Sequence, residues 1–207
     1  MKSVFIKLLK EYNVDPKFSI KLWTEIETHY TSKKRHYHNL DHLEDLFDQL
    51  IIFKQKIKDW NVILFSLFYH DIIYKSTKND NEEQSAKLAS ERMKEIGISE
   101  SKIKLCFDQI IATKAHSQNL NHDTNYFTDA DLSILGREAN IYKNYCQKIR
   151  MEYSIYPDFL YNKGRKKVIQ HFLTMESIFK TKEFQSKFED PARQNLIMEM
   201  ESLTIDS

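Results

Sequence analysis

Trp60-Asn61-Val62-Ile63-Leu64-Phe65-Ser66-Leu67-Phe68-Tyr69-His70-Asp71 contains the longest apolar stretch of the chain. From Trp60 to Tyr69 it is broken only by Asn61 and Ser66, and it ends abruptly at a histidine and an aspartate. A helix that is apolar on every side belongs in a protein interior. The stretch is far short of the roughly 18–20 residues that span a bilayer. It therefore predicts a core helix, capped by Asp59 or Asn61 and continuing through Ile73.

The flanking sequence repeats the helical period almost everywhere. Val4, Phe5, Leu8, Leu9 and Tyr12 form one stripe. Asp15-Pro16 reads as N-cap and first helical residue, ahead of a second helix carrying Phe18, Ile20, Leu22, Trp23, Ile26 and Tyr30. A basic polar stretch, 32–39, interrupts the pattern. A third helix opens near Asp41 and carries Leu43, Leu46, Phe47, Leu50, Ile51 and Ile57. Beyond the core helix, 75–81 reads as a loop. A helix over 82–96 has acids in its first turn, which the helix dipole favours, and stops at Gly97. Ser99 caps another that runs to about Lys114. A polar loop, 116–125, precedes a short apolar piece, 127–135, around Asp129 and Asp131. Further helices are expected over 141–153, 165–179 and, after Pro191, 192–203. Strand patterns, repeats and linkers are absent from the sequence, so the expectation is an all-α protein: one multi-helix bundle over 1–207.

Composition agrees. The 207 residues include only 3 Gly and 3 Pro, where average usage would give roughly 14 and 10. So few glycines exclude a P-loop or a dinucleotide fingerprint and argue against an all-β fold rich in tight turns. Lys+Arg is 31 and Asp+Glu 30, a net charge of +1, which leaves no electrostatic footprint for duplex nucleic acid or an anionic membrane. Hydrophobic residues at 41% and aromatics at 13% supply a real core and exclude global disorder. Cys106 and Cys146 are isolated, so neither a disulfide framework nor a zinc ribbon is expected. The N-terminus reads as an amphipathic helix rather than a signal peptide. A cytoplasmic location follows as the default expectation.

The 8 histidines are clustered: four fall between His29 and His42, and His70 stands beside Asp71. A core helix ending in His-Asp sets two metal-ligand types at the negative end of a helix dipole. Imidazole and carboxylate together suit a divalent first-row ion. His42 follows His38 by four residues, so both can share a helical face. A centre built from His42 and His70-Asp71 then needs one more carboxylate from far along the chain.

With those residues in view, the segments 35–43 (Arg35-His36-Tyr37-His38-Asn39-Leu40-Asp41-His42-Leu43), Phe68-Tyr69-His70-Asp71 and Asp129-Ala130-Asp131-Leu132 resemble the H…HD…D signature of the HD superfamily of metal-dependent phosphohydrolases. More narrowly, the chain resembles a small bacterial group of predicted HD-superfamily phosphohydrolases. That likeness takes in Asp80-Asn81-Glu82-Glu83-Gln84-Ser85-Ala86, Thr113-Lys114-Ala115-His116, Ile149-Arg150-Met151-Glu152-Tyr153, Gly164-Arg165 and Ala192-Arg193-Gln194-Asn195-Leu196, nearly the whole chain. It implies a helical HD-type domain with a metal-binding core over about 30–135, on which C-terminal helices over about 137–203 pack. It implies the metal ligands His42, His70, Asp71 and Asp131. Asp129 competes for the last place. Residues two apart on a helix point about 200° apart, so only one should face the ion, and the family pattern favours Asp131; the ordinary reading of Asp129 is a helix acid or cap.

The resemblance also implies a reaction. A divalent cation (Mn, Mg, Zn, Ni, Co or Fe) would activate water against a phosphoester of a nucleotide or other small phosphorylated metabolite. Arg35, His38 and Lys114 are the candidates for holding phosphate. Glu82 and His116 are the candidates for catalytic roles, Glu82 by orienting the attacking water or moving its proton. Each has an ordinary alternative: Glu82 as a first-turn acid, Arg35 and Lys114 on a solvated face, and Arg150, Arg165 and Arg193 as structural ion-pair partners. Guanosine-tetraphosphate hydrolases of the superfamily carry an acidic pair where this chain has Tyr74 and Lys75, and the GYP element of its cyclic-dinucleotide phosphodiesterases is absent. Other readings are a two-iron oxygenase of the same superfamily and a non-catalytic metal- or nucleotide-binding sensor. Expected partners are a small phosphorylated substrate and, compatibly, a second copy of the chain in a homo-oligomer; duplex nucleic acid and membrane are not expected.

Overall fold

The computed structural model describes residues 1–205, and every regular element among them is a helix. None of the described helices is long and apolar enough to cross a membrane. The chain divides into two compact units, Met1–Thr128 and Asp129–Ser207.

The first unit contains α1 (Lys2–Glu11), α2 (Pro16–Tyr30), α3 (Leu40–Ile51), α4 (Trp60–Tyr69), α5 (Asn81–Glu95) and α6 (Glu100–Ala112), and most of α7 (His122–Leu132). As the sequence predicts, α4 is its axis. Every residue from Val62 to Tyr69 is buried, and α1, α3, α5 and α6 pack around it. Burying each Leu, Ile or Phe contributes about 1.5–3 kcal/mol. Phe5 meets Phe68 edge-on at 4.8 Å between ring centroids. The polar Ser66 is accommodated by donating its hydroxyl to Gln109 Oε1 at 2.6 Å. Glu25 and Arg92 join α2 to α5 through two hydrogen bonds of 2.7 and 2.8 Å.

Local signals set most of the boundaries. Asp15 accepts from the Lys17 and Phe18 backbones ahead of Pro16. Asn39 accepts from those of Asp41 and His42, opening α3 at Leu40. Asp59 accepts from Val62. Ser99 stands at the N-cap position of α6, but its side chain makes no capping bond. Other boundaries differ from the sequence expectation for tertiary reasons. The third helix ends at Ile51, and a 3-10 turn over Lys54–Lys56 follows. The core helix stops at Tyr69 instead of Ile73, because the backbone of Asp71, Ile72 and Ile73 is captured by side chains of other elements. The predicted loop over 116–125 is helical from His122. Asn121 accepts from the Thr124 N–H at 3.0 Å, and the buried Asp123 carboxylate accepts from the backbones of Lys58 and Asp59.

The second unit holds the last residues of α7, a 3-10 turn over Ser133–Gly136, α8 (Ala139–Glu152), α9 (Asp158–Thr174) and α10 (Lys182–Ile205). The 3-10 turn packs against α8 and α10, and α9 packs against α10. Gly136 permits that approach: a Cβ there would stand 2.6 Å from the Phe188 carbonyl oxygen and 2.7 Å from its Cβ. Helix α9 starts seven residues before the expected Arg165 and runs through Gly164, whose surroundings are open. The propensity cost of one exposed glycine, about 1 kcal/mol, is overridden by the rest of the helix. It stops at Thr174, not Phe179, because Glu189 accepts from the backbone N–H groups of Ile178 and Phe179 and holds them outside the helix. Pro191 was expected to precede a helix but lies inside α10. It forgoes one backbone bond, while a firm cap at the helix start, described below, and the Arg193–Glu189 pair at 2.8 Å support the turns around it.

Candidate metal centre

His42 lies on the first turn of α3, and His70 is the C-cap of α4. Both are buried, at 5% and 1% exposure. Asp71 follows directly, with a side chain 17% exposed. The fold brings these three first-unit side chains together. His42 Nε2 and His70 Nε2 face each other at 3.2 Å. Asp71 Oδ2 is 3.1 Å from His70 Nε2 and 3.8 Å from His42 Nε2. His38 stands beside them, its Nε2 3.9 Å from the same carboxylate oxygen.

The orientation of the His70 ring is set by its other nitrogen. Nδ1 lies 3.0 Å from the Leu67 carbonyl oxygen. A carbonyl has no proton to give, so Nδ1 is the donor in this bond, and Nε2 is the ring nitrogen turned toward His42 and Asp71. The arrangement fits a cation. Two donor atoms each about 2.1 Å from one ion stand roughly 3.0–3.4 Å apart at octahedral or tetrahedral angles. The 3.2 and 3.1 Å separations fall in that range, and the 3.8 Å edge corresponds to a wider angle. A carboxylate beside two inward-facing ring nitrogens also favours positive charge at their centre.

Of the supporting side chains, Tyr37 and Ser85 fall within the segments that carry the likeness, while Tyr30 and Tyr74 lie outside them. Tyr30 OH accepts from the Asp71 N–H at 3.2 Å. Ser85 bonds both the N–H and the carbonyl of Ile73. The His38 ring stacks on Tyr74, with centroids 4.1 Å apart, and Tyr37 lies 4.9 Å from the His42 ring. No local pattern marks Tyr30 as a neighbour of the site.

The other expected site residues are placed as follows. Arg35 donates to three backbone carbonyls, His38 at 3.1 Å, Asp71 at 2.7 Å and Ile72 at 2.7 Å. Lys114 donates to Glu83 at 2.6 Å and to the Asn79 carbonyl at 2.7 Å, with Glu82 4.0 Å away. Glu82 is half-buried in the first turn of α5. Burial pushes its carboxyl above the usual carboxylate range, and the charge of Asp71 adds to the shift. His116 closes the C-terminal end of α6 in the left-handed region, at φ 49°, its N–H bonded to the Ala112 carbonyl.

Asp129 and Asp131 both belong to the second unit. Asp129 is fully buried, and its carboxylate is engaged within that unit. It accepts from the Lys180 N–H at 2.8 Å, the Thr181 N–H at 2.7 Å and the Thr181 hydroxyl at 2.8 Å, with Lys180 Nζ 3.6 Å away. It caps the chain entering α10. Asp131 is half-buried at the end of α7. The three arginines of the motif likeness have structural partners in the same unit: Arg150 with Asp158, Arg165 with Glu199 and Arg193 with Glu189. No family model, curated protein or solved structure matches the chain, so its likeness to the HD superfamily rests on the motif residues themselves.

Proposed function

We propose that the chain is a metal-dependent phosphohydrolase that cleaves a phosphoester of a small phosphorylated molecule, nucleotides included. The observation that carries this reading is the meeting of His42 Nε2, His70 Nε2 and Asp71 Oδ2, with His70 turned by the Leu67 carbonyl. We assign Asp131 as the fourth ligand from its place in the sequence pattern; the oxygens of its neighbour Asp129 are already occupied by the α10 cap. Two imidazoles and two carboxylates suit a divalent first-row ion. Bound there, such an ion supplies a water of lowered pKa and a Lewis acid for the phosphoryl oxygens.

In this reading the chain's own groups do the rest. His38, steadied by Tyr74, holds a phosphoryl oxygen at the rim. Glu82, its carboxyl raised above the ordinary carboxylate value by burial, orients water or carries its proton. Lys114, paired with Glu83 and the Asn79 carbonyl, steadies the loop ahead of α5.

The test is a phosphate-release screen of the purified protein, supplied with divalent metals, across nucleotides and common phosphorylated metabolites. At least one substrate is expected to turn over. Glu82→Gln is expected to retain metal and to lose about 100-fold or more in kcat, the usual scale of general acid–base catalysis. A Glu82→Gln protein with unchanged kcat removes that residue from the mechanism. One observation favours a second reading. His38, 3.9 Å from Asp71, offers a third imidazole, as a two-iron oxygenase requires. Two irons per chain and a visible absorption band, with no phosphate release, would establish that reading in place of the first.

A further inference from the structure

We propose that Arg35 is a positioning residue for the metal centre and not a phosphate ligand; the inference rests on the metal-centre reading. A helix leaves its last carbonyls without intrahelical partners, and α4 ends immediately before the His-Asp pair. The peptide that follows must be fixed by something else if Asp71 is to hold one orientation. Arg35 does this from 36 residues away. Its guanidinium donates to the carbonyls of Asp71 and Ile72 at 2.7 Å each, and the same Nη1 reaches the His38 carbonyl at 3.1 Å.

One planar cation therefore ties the segment before α3, which carries His38 and leads to His42, to the segment after α4, which carries Asp71. Tyr30 completes the grip: its hydroxyl accepts from the Asp71 N–H, and its ring lies under the guanidinium, 4.8 Å from Arg35 Cζ. Tyr74 flanks the guanidinium at 5.7 Å. The Asp71 backbone is thus held at both its N–H and its C=O, with the carboxylate facing His42 and His70. A guanidinium suits the task because its fork reaches several carbonyls in one plane, which an ammonium cannot do. Its charge, however, opposes a nearby cation, so the two effects predict opposite outcomes when it is removed.

The experiment is a metal titration of the chelator-treated protein, using Mn2+ or Co2+ in competition with a chromophoric chelator. The unsubstituted chain, Arg35→Met, Arg35→Lys and Tyr30→Phe are compared, with far-UV circular dichroism to confirm helix content. Partners that orient metal ligands are typically worth about 10–100-fold in affinity. Arg35→Met is expected to lose at least about tenfold, Arg35→Lys to recover part of the loss, and Tyr30→Phe to lose affinity with the guanidinium still present. Should Arg35→Met fail to fold, the Arg35→Lys and Tyr30→Phe results decide. Affinity unchanged or raised in the substituted proteins, with KM for the phosphorylated substrate increased instead in the Arg35 variants, would overturn the positioning role and restore Arg35 to the phosphate. An unsubstituted chain that binds no metal would overturn the metal centre itself, an outcome distinct from failure of the clamp.

Discussion

His70→Ala is expected to lower divalent-metal affinity by more than about 100-fold, beyond the range seen for groups that merely orient ligands, and to abolish phosphate release. His70 Nε2 is the shared vertex of the two short separations in the site, 3.2 Å to His42 and 3.1 Å to Asp71. Its ring is fixed by the Leu67 carbonyl and is 1% exposed, so no mobile side chain can substitute for it. Deleting a buried ring also leaves a cavity, and some loss of stability is expected as well. Asp71→Asn separates the two effects. It keeps the shape of the side chain and the Tyr30 and Arg35 bonds, which are to the Asp71 backbone, but removes the negative charge. It should fold like the unsubstituted chain and still lose metal, as measured by chelator competition beside a thermal melt. Retention of metal by both variants would mean that the histidines are ordinary core residues.

The second large effect is on stability. Glu199→Ala is expected to cost about 3–5 kcal/mol, the penalty for breaking a buried ion pair from one side. Arg165 on α9 donates to both carboxylate oxygens of Glu199 on α10, at 2.7 and 2.9 Å. The Tyr142 hydroxyl also donates to Glu199, and the two charged side chains are only 8% and 10% exposed. Removing the carboxylate strands a buried guanidinium and a buried phenol together. The double variant Arg165→Met with Glu199→Leu is expected to regain part of the loss, since it removes the stranded charge but leaves the buried Tyr142 hydroxyl without Glu199. Urea denaturation followed by circular dichroism measures both. A loss below about 1 kcal/mol for Glu199→Ala would show a pair behaving as though solvent-exposed.

The arginine illustrates what the sequence can and cannot reveal. A helical reading was available from the 3.6-residue period, and the cap Asp15, with Asp59 as one of two candidates for the core helix, could be placed from local chemistry alone. The core helix was legible because its apolar side chains leave it no surface to expose. His70-Asp71 stood out because imidazole and carboxylate are uncommon neighbours of so apolar a run, and His42 stood out from the cluster of histidines and its spacing from His38. The role of Arg35 was not legible: its partners are backbone carbonyls, which every residue has, 36 and 37 positions away. Asp129 is the same case in reverse. Its pairing with the backbones of Lys180 and Thr181 spans more than fifty residues, so spacing alone could weigh Asp129 against Asp131 but could not see the cap. Pro191 misled for a related reason. A local rule stops a helix at proline, yet α10 continues through it because its start is anchored by tertiary bonds that the sequence does not display.

Metal binding by the purified chain tests the central claim most directly. After chelation and dialysis, the unsubstituted protein should take up a divalent first-row ion stoichiometrically, by elemental analysis and by competition titration, while His70→Ala and Asp71→Asn should not. An unsubstituted chain that takes up no ion, or variants that take up as much as it does, would contradict a cation bound between these side chains.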